Sequence, residues 1–120
     1  QEKLDVMHCV SSYPLATDRV NLLKIVYLLD NFKNVGYSSH YQGISDAIAA
    51  TTLGASFIEK HFTIDNDLPG RDNKFALLPE DFKQMVQFSI EASQMMLDQG
   101  LGLQDCEKDV ALNMRGRWGG

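Results

Sequence analysis

Three times along this chain a short apolar run gives way to a longer stretch with helical spacing. Leu4 to Val10 mixes apolar residues with Asp5 and His8 before Ser11-Ser12-Tyr13-Pro14 stops it, the pattern of a buried strand running into a loop. Thr17 or Asp18 can cap a helix reaching about Asn31, with Val20, Leu22, Leu23, Ile25, Val26, Leu28 and Leu29 as a broad apolar face. Asn34 to Ser38 is a short second strand, and Gly43 or Ser45 opens an Ala-rich helix with Gly54 just past its end. Ala55 to Thr63 is the clearest strand, placing Ala55, Phe57, Glu59 and His61 on one face and Ser56, Ile58, Lys60 and Phe62 on the other. A loop from Asp65 to Leu78 follows. Pro79 suits the first turn of a third helix, where Glu80 and Asp81 favour the dipole, and a helical period runs on to Gly100. From Leu101 the periodicity weakens, and the remainder reads as a loose tail.

The order is β-α-β-α-β-α. Short strands joined through helices imply parallel pairing with right-handed crossovers. Three such units do not close a barrel, but they can form the last part of one, or a small open sheet. No G-x-G-x-x-G follows a strand, so a dinucleotide-binding sheet has no support.

Composition narrows the class. At 120 residues with 44% hydrophobic and 22% charged content, the chain has the make-up of an ordinary globular domain. A net charge of −5 without a local Lys/Arg run argues against nucleic-acid and anionic-membrane surfaces. No apolar run approaches the ~18 residues of a membrane span. Cys9 and Cys106 match no zinc-ligand spacing and read as two reduced thiols, hence a cytoplasmic expectation. The opening Gln1-Glu2-Lys3-Leu4, without Met and almost directly in a strand, reads as the middle of a longer protein.

Chemistry gathers at one edge. In parallel α/β folds, ligands sit at the carboxyl ends of the strands. Ser11 and Tyr13 follow the first strand, Ser38 and His40 end the second, and Glu59 and His61 end the third. Because residues i and i+2 share a face, Ser38 with His40 and Glu59 with His61 point into one site if the strands are neighbours, about 4.8 Å apart. Two imidazoles with open positions suit a catalytic divalent ion rather than a closed structural site. Either histidine alone is more often a hydrogen-bonded structural residue; the pairing at matching strand ends is what favours a metal. Glu59, a carboxylate within an apolar strand, must be paired, protonated or functional. Lys60 faces away from it. His8 reads as a satisfied structural histidine, and the charges of 65–74 as a solvated loop or a substrate clamp.

The succession His8-Cys9-Val10-Ser11-Ser12-Tyr13-Pro14, Val35-Gly36-Tyr37-Ser38-Ser39-His40, and Leu53 through Ile58-Glu59-Lys60-His61-Phe62-Thr63 resembles the N-acetylneuraminate (sialic acid) synthases. Leu68-Pro69-Gly70-Arg71-Asp72 and Leu78-Pro79-Glu80-Asp81-Phe82 continue the likeness, which covers about residues 4 to 100.

The resemblance implies an α/β fold in which residues 1–100 are the C-terminal three βα units of a (β/α)8 TIM barrel, a partial barrel, with 101–120 a tail or linker. It implies condensation of phosphoenolpyruvate with N-acetylmannosamine or a related acylated amino sugar, giving a nine-carbon 2-keto acid and phosphate. By position, His40 and His61 would hold Mn²⁺ or Mg²⁺. Ser11, Tyr13 and Ser38 would line the phosphoenolpyruvate site, Glu59 would be the catalytic residue that handles protons or holds the aldehyde and attacking water, and Asp72 would contact the sugar. The full-length protein would be a homodimer, and this chain alone inactive, because lysines expected from earlier strands are not in it. Three departures stand out. Ser39 replaces a usual Asp that could support a histidine, Arg71 and Asn73 replace a common Pro and His around Asp72, and the antifreeze-like domain is absent. The alternatives are another metal-dependent barrel, such as an aldolase or phosphodiesterase, and a non-catalytic, self-associating half-barrel.

Overall fold

The computed structural model describes residues 3–114. Three parallel strands, β1 (Val6–Cys9), β2 (Val35–Ser39) and β3 (Phe57–Lys60), form one sheet in the order β1-β2-β3. Helix α1 (Leu23–Leu29) joins β1 to β2, α2 (Ser45–Thr52) joins β2 to β3, and α3 (Pro79–Met95) packs chiefly on α2. The expected β-α-β-α-β-α succession is therefore present, with its parallel pairing.

One face of the sheet is covered by helices. Val35, Tyr37 and Ser39 of β2 point into that layer, where they meet Ile25 of α1 and Ala50 and Asp46 of α2. The other face is open: Met7 and Phe57 are each 37% exposed, and Glu59 is exposed. Gly36 lies on this open face opposite Phe57, and a Cβ there would stand 2.2 Å from the Phe57 ring. The glycine is what lets that ring lie flat across the sheet.

Behind β2 and β3 lies a buried polar cluster. The Lys60 and Asp46 side chains are each 3% exposed and sit 3.5 Å apart. Tyr37 Oη (2.7 Å) and Ser39 Oγ (2.5 Å) both donate to Asp46. Burial, reinforced by the hydrogen bond to Asp46, pushes the Tyr37 phenol above its ordinary range. Burial lowers the Lys60 ammonium, with Asp46 opposing that shift. On the same face, His8 is 2% exposed and its Nε2 donates to the Val20 carbonyl at 2.8 Å, whereas its buried Nδ1 finds no partner among the described residues, so the reading of a satisfied structural histidine holds for one ring nitrogen only.

Several boundaries differ from expectation. Helix α1 begins at Leu23 rather than at Thr17 or Asp18, preceded by a 3-10 turn at Thr17–Arg19. Asn21 takes a left-handed φ of 53°, and His8 captures the Val20 carbonyl, so a continuous helix cannot form. Gly54, at φ 110°, is the C′ residue of α2 as expected. β3 stops at Lys60 because the chain beyond it pairs with Leu77 instead of β2. The loop after β3 is internally tied: the Asn66 amide donates to the Asn73 and Ala76 carbonyls, and the Asn73 amide to those of Asp65 and Leu68. Helix α3 ends at Met95, short of Gly100. The expected loose tail carries a 3-10 turn at Asp105–Glu107 and a short helix α4 (Lys108–Asn113), though it adds nothing to the core. Arg115, Arg117 and Trp118 lie outside the described residues.

Truncating Asp46 leaves a buried ammonium without its counter-charge and two hydroxyls without their acceptor. Asp46→Ala should cost about 3–5 kcal/mol in urea unfolding; a loss under about 1 kcal/mol would show that water reaches the cluster.

Candidate active site

The last registered pairs of the β2–β3 ladder are Ser38 with Glu59 and Ser39 with Lys60. Alternation then divides four side chains between two faces. Ser38 and Glu59 stand on the open face, where Ser38 Oγ donates to Glu59 Oε1 at 2.8 Å. This leaves the second carboxylate oxygen available to a proton or a water. Glu59 is exposed rather than enclosed in an apolar strand, so the requirement that burial force a partner on it does not apply in this chain.

One residue past each strand, His40 and His61 are half-buried, with ring centroids 5.4 Å apart at an interplanar angle of 83°. The His40 Nδ1 donates to the Val10 carbonyl at 2.7 Å, with Cys9 Sγ 3.7 Å from the same nitrogen. That bond fixes the Nδ1–H tautomer and leaves Nε2 as a lone-pair donor. Among the described residues no hydrogen bond engages the His61 ring.

Two loops are pinned onto the histidine backbone in the same way. The Leu15 amide donates to the His40 carbonyl, and the Leu77 amide donates to the His61 carbonyl, each at 2.9 Å. Two residues before each anchor sits an aromatic ring, Tyr13 and Phe75, and these rings meet at 5.2 Å. Tyr13 lies 5.2 Å from the His40 ring and 4.8 Å from the His61 ring. Burial, aided by the Asp72 carboxylate, raises the Tyr13 phenol, so it stays a neutral hydrogen-bond donor.

The structure thus brings together His40, His61 and Tyr13, joins Ser38 to Glu59 on the same face, and sets Asp72 near Tyr13. Ser11 is exposed in the loop after β1, and no described contact links it to the group. Ser39 faces the helices, where it donates to Asp46, and the His40 ring is supported instead by the Val10 carbonyl. Asn73 is occupied in tying its own loop. Cys9 and Phe75 were not anticipated. Alternation could have placed Cys9 beside Ser38, its register partner, whereas nothing local marks Phe75.

Two imidazoles at this separation, one with its tautomer fixed, suit a divalent ion completed by oxygens or water. Among the described residues no group of three or more His, Cys, Asp or Glu could hold a metal ion. Two imidazoles alone would need further ligands to complete such a site.

These features define a parallel α/β domain with two imidazoles, a phenol and a hydroxyl–carboxylate pair at the carboxyl edge of its sheet. The profile of the NeuB family matches residues 1–100, and the chain belongs to that family. It is 36% identical over 115 residues to the N,N'-diacetyllegionaminic acid synthase of Campylobacter jejuni, covering 95% of this chain and 34% of that protein. It is 42% identical over 102 residues to the spore coat polysaccharide biosynthesis protein SpsE of Bacillus subtilis, covering 82% and 27% respectively. Among solved structures it resembles the N-acetylneuraminic acid (sialic acid) synthetase of Leptospira borgpetersenii, crystallised with citrate. There the TM-score is 0.79 at 30% identity, over 92% of this chain and 40% of that one. The chain spans about a third of the length of these curated relatives.

In the neutral state of the ring, long-range ¹H–¹⁵N spectra should show His40 as the Nδ1–H tautomer. An Nε2–H tautomer would remove its lone pair from the site and refute the ligand geometry.

Proposed function

We propose that the full-length protein condenses phosphoenolpyruvate with N-acetylmannosamine or a related acylated amino sugar, releasing phosphate and a nine-carbon 2-keto acid. The observation that carries this reading is the pair of imidazoles 5.4 Å apart, flanked by Tyr13 and by the Ser38–Glu59 pair. The names of the relatives, synthases of legionaminic, pseudaminic and N-acetylneuraminic acid 9-phosphate, support it. On this reading the three βα units are the closing part of a (β/α)8 barrel. The open sheet face supports that view, since parallel sheets are ordinarily covered on both faces. The protein is read as a cytoplasmic homodimer; among the described residues no helix is long and apolar enough to cross a membrane.

His40 and His61 would hold Mn²⁺ or Mg²⁺, which supplies Lewis-acid polarisation of the sugar's aldehyde oxygen. Ser38, donating its hydroxyl to Glu59, orients that carboxylate. C3 of phosphoenolpyruvate bonds to the aldehyde carbon, whose oxygen gains a proton and becomes a hydroxyl. Water adds to the cationic C2, and Glu59 takes its proton. The resulting tetrahedral carbon expels phosphate by C–O cleavage and becomes the ketone as its hydroxyl proton leaves with the phosphate, and the proton taken by Glu59 offsets the one gained by the aldehyde oxygen. Tyr13, neutral and packed against both imidazoles, offers its hydroxyl to a substrate oxygen. Ser11 and Asp72, exposed on the two loops above, are read as contacts to phosphoenolpyruvate and sugar.

The test is phosphate release from phosphoenolpyruvate with N-acetylmannosamine and Mn²⁺, using the full-length protein. Glu59→Gln should lower kcat by about 10²- to 10⁴-fold, and His61→Ala should abolish turnover. Undiminished turnover in His61→Ala removes the metal assignment; phosphate release that ignores the sugar removes the condensation.

A further inference from the structure

The histidines lie just beyond the end of the β2–β3 ladder, whose last pair is Ser39 with Lys60. No ladder hydrogen bond joins His40 to His61. Their carbonyls are taken by Leu15 and Leu77, which belong to two different loops. What spans the gap is a side chain. Lys60 Nζ, on the residue between Glu59 and His61, donates to Ser39 Oγ at 2.6 Å and to the Tyr41 carbonyl at 2.5 Å. Those two acceptors bracket His40 in sequence. The third direction of the ammonium is filled by Asp46 at 3.5 Å, and the Tyr41 ring lies 5.7 Å from Nζ. Ser39 Oγ in turn accepts from the Tyr41 amide at 3.3 Å, so the turn around His40 is closed on itself.

We infer that Lys60 is a positioning residue that clamps the His40 turn to the His61 strand end from behind the sheet, setting the spacing at which the two imidazoles share an ion. This rests on the metal reading given above and extends it to a group that touches neither ion nor substrate. Stability does not require the lysine, because a buried ion pair seldom outperforms an apolar filler of the same volume. An ammonium does what an alkyl chain cannot: it donates to oxygens on β2 and on the turn after it while its charge faces the Asp46 carboxylate of α2. Of the polar contacts described between residues 38–41 and 59–61 beyond the ladder itself, all but the Ser38–Glu59 bond pass through Lys60.

The experiment is a Mn²⁺ titration of the full-length protein, read by the electron paramagnetic resonance of the free ion. The wild type, His61→Ala and the double variant Lys60→Met/Asp46→Asn are compared, with circular dichroism and thermal unfolding run on each. Removing both charges together leaves no orphaned ion. The double variant should keep its fold and Tm while its Mn²⁺ Kd weakens by about 10- to 100-fold, the effect of losing support behind a metal ligand. A folded double variant with wild-type Kd, alongside a His61→Ala that has lost the ion, overturns the clamp and leaves the metal reading standing. A wild type that binds no better than His61→Ala overturns both. If the double variant does not fold, Lys60→Arg decides, since a planar guanidinium cannot converge on the same three oxygens. An unchanged Kd overturns the proposal, and a weakening of about tenfold or more supports it.

Discussion

The parallel register that sets Ser38 against Glu59 and Ser39 against Lys60 governs the rest of this molecule. Side chains alternate with a period of two, so a slip of one residue would turn Glu59 into the helix layer and Lys60 out onto the open face. The carboxylate would then meet Asp46, a like charge, in a buried place. The observed register puts the ammonium there instead, with Asp46, Ser39 and the Tyr41 carbonyl around it. The register therefore decides which side the acid faces, and the buried charge pair it creates spans the separation of the strand ends.

The two sheet faces have different work. Behind the sheet, Ile25, Val35, Tyr37 and Ala50 are fully buried and make an ordinary apolar core around the polar cluster. In front, Met7, Phe57 and Glu59 meet solvent in this chain. The radius of gyration, 19.3 Å, is well above the about 14 Å of a compact domain of this length. An exposed inner face carrying an acid, a hydroxyl and two imidazoles accords with the proposal that further strands complete a barrel over it.

Above the strand ends, the site is shaped by loops that use the histidines' own carbonyls as anchors. Because Tyr13 and Phe75 stand at equal distances before those anchors, the two rings meet over the imidazole pair. The loop carrying Asp72 is held in form by two asparagine amides, so its acid is presented from a fixed frame. Rigid elements set the donors, and short tethered loops set what surrounds them.

The order of strands and helices, their parallel pairing and the place of Ser38, His40, Glu59 and His61 at neighbouring strand ends were legible from the pattern of apolar runs and connections. Those features depend on positions two or four residues apart, which a sequence displays directly. Gly54 as a helix stop was equally local. The break at Asn21 was not, because it depends on His8 reaching the Val20 carbonyl from another element. The place of Ser39, the pinning of the loops by Leu15 and Leu77, and the contact of Phe75 with Tyr13 likewise arise between distant segments. Above all, a lysine known only to face away from Glu59 acquired its role when α2 brought Asp46 beneath it. Alternation told each side chain which way to point; only packing decided what it would meet there.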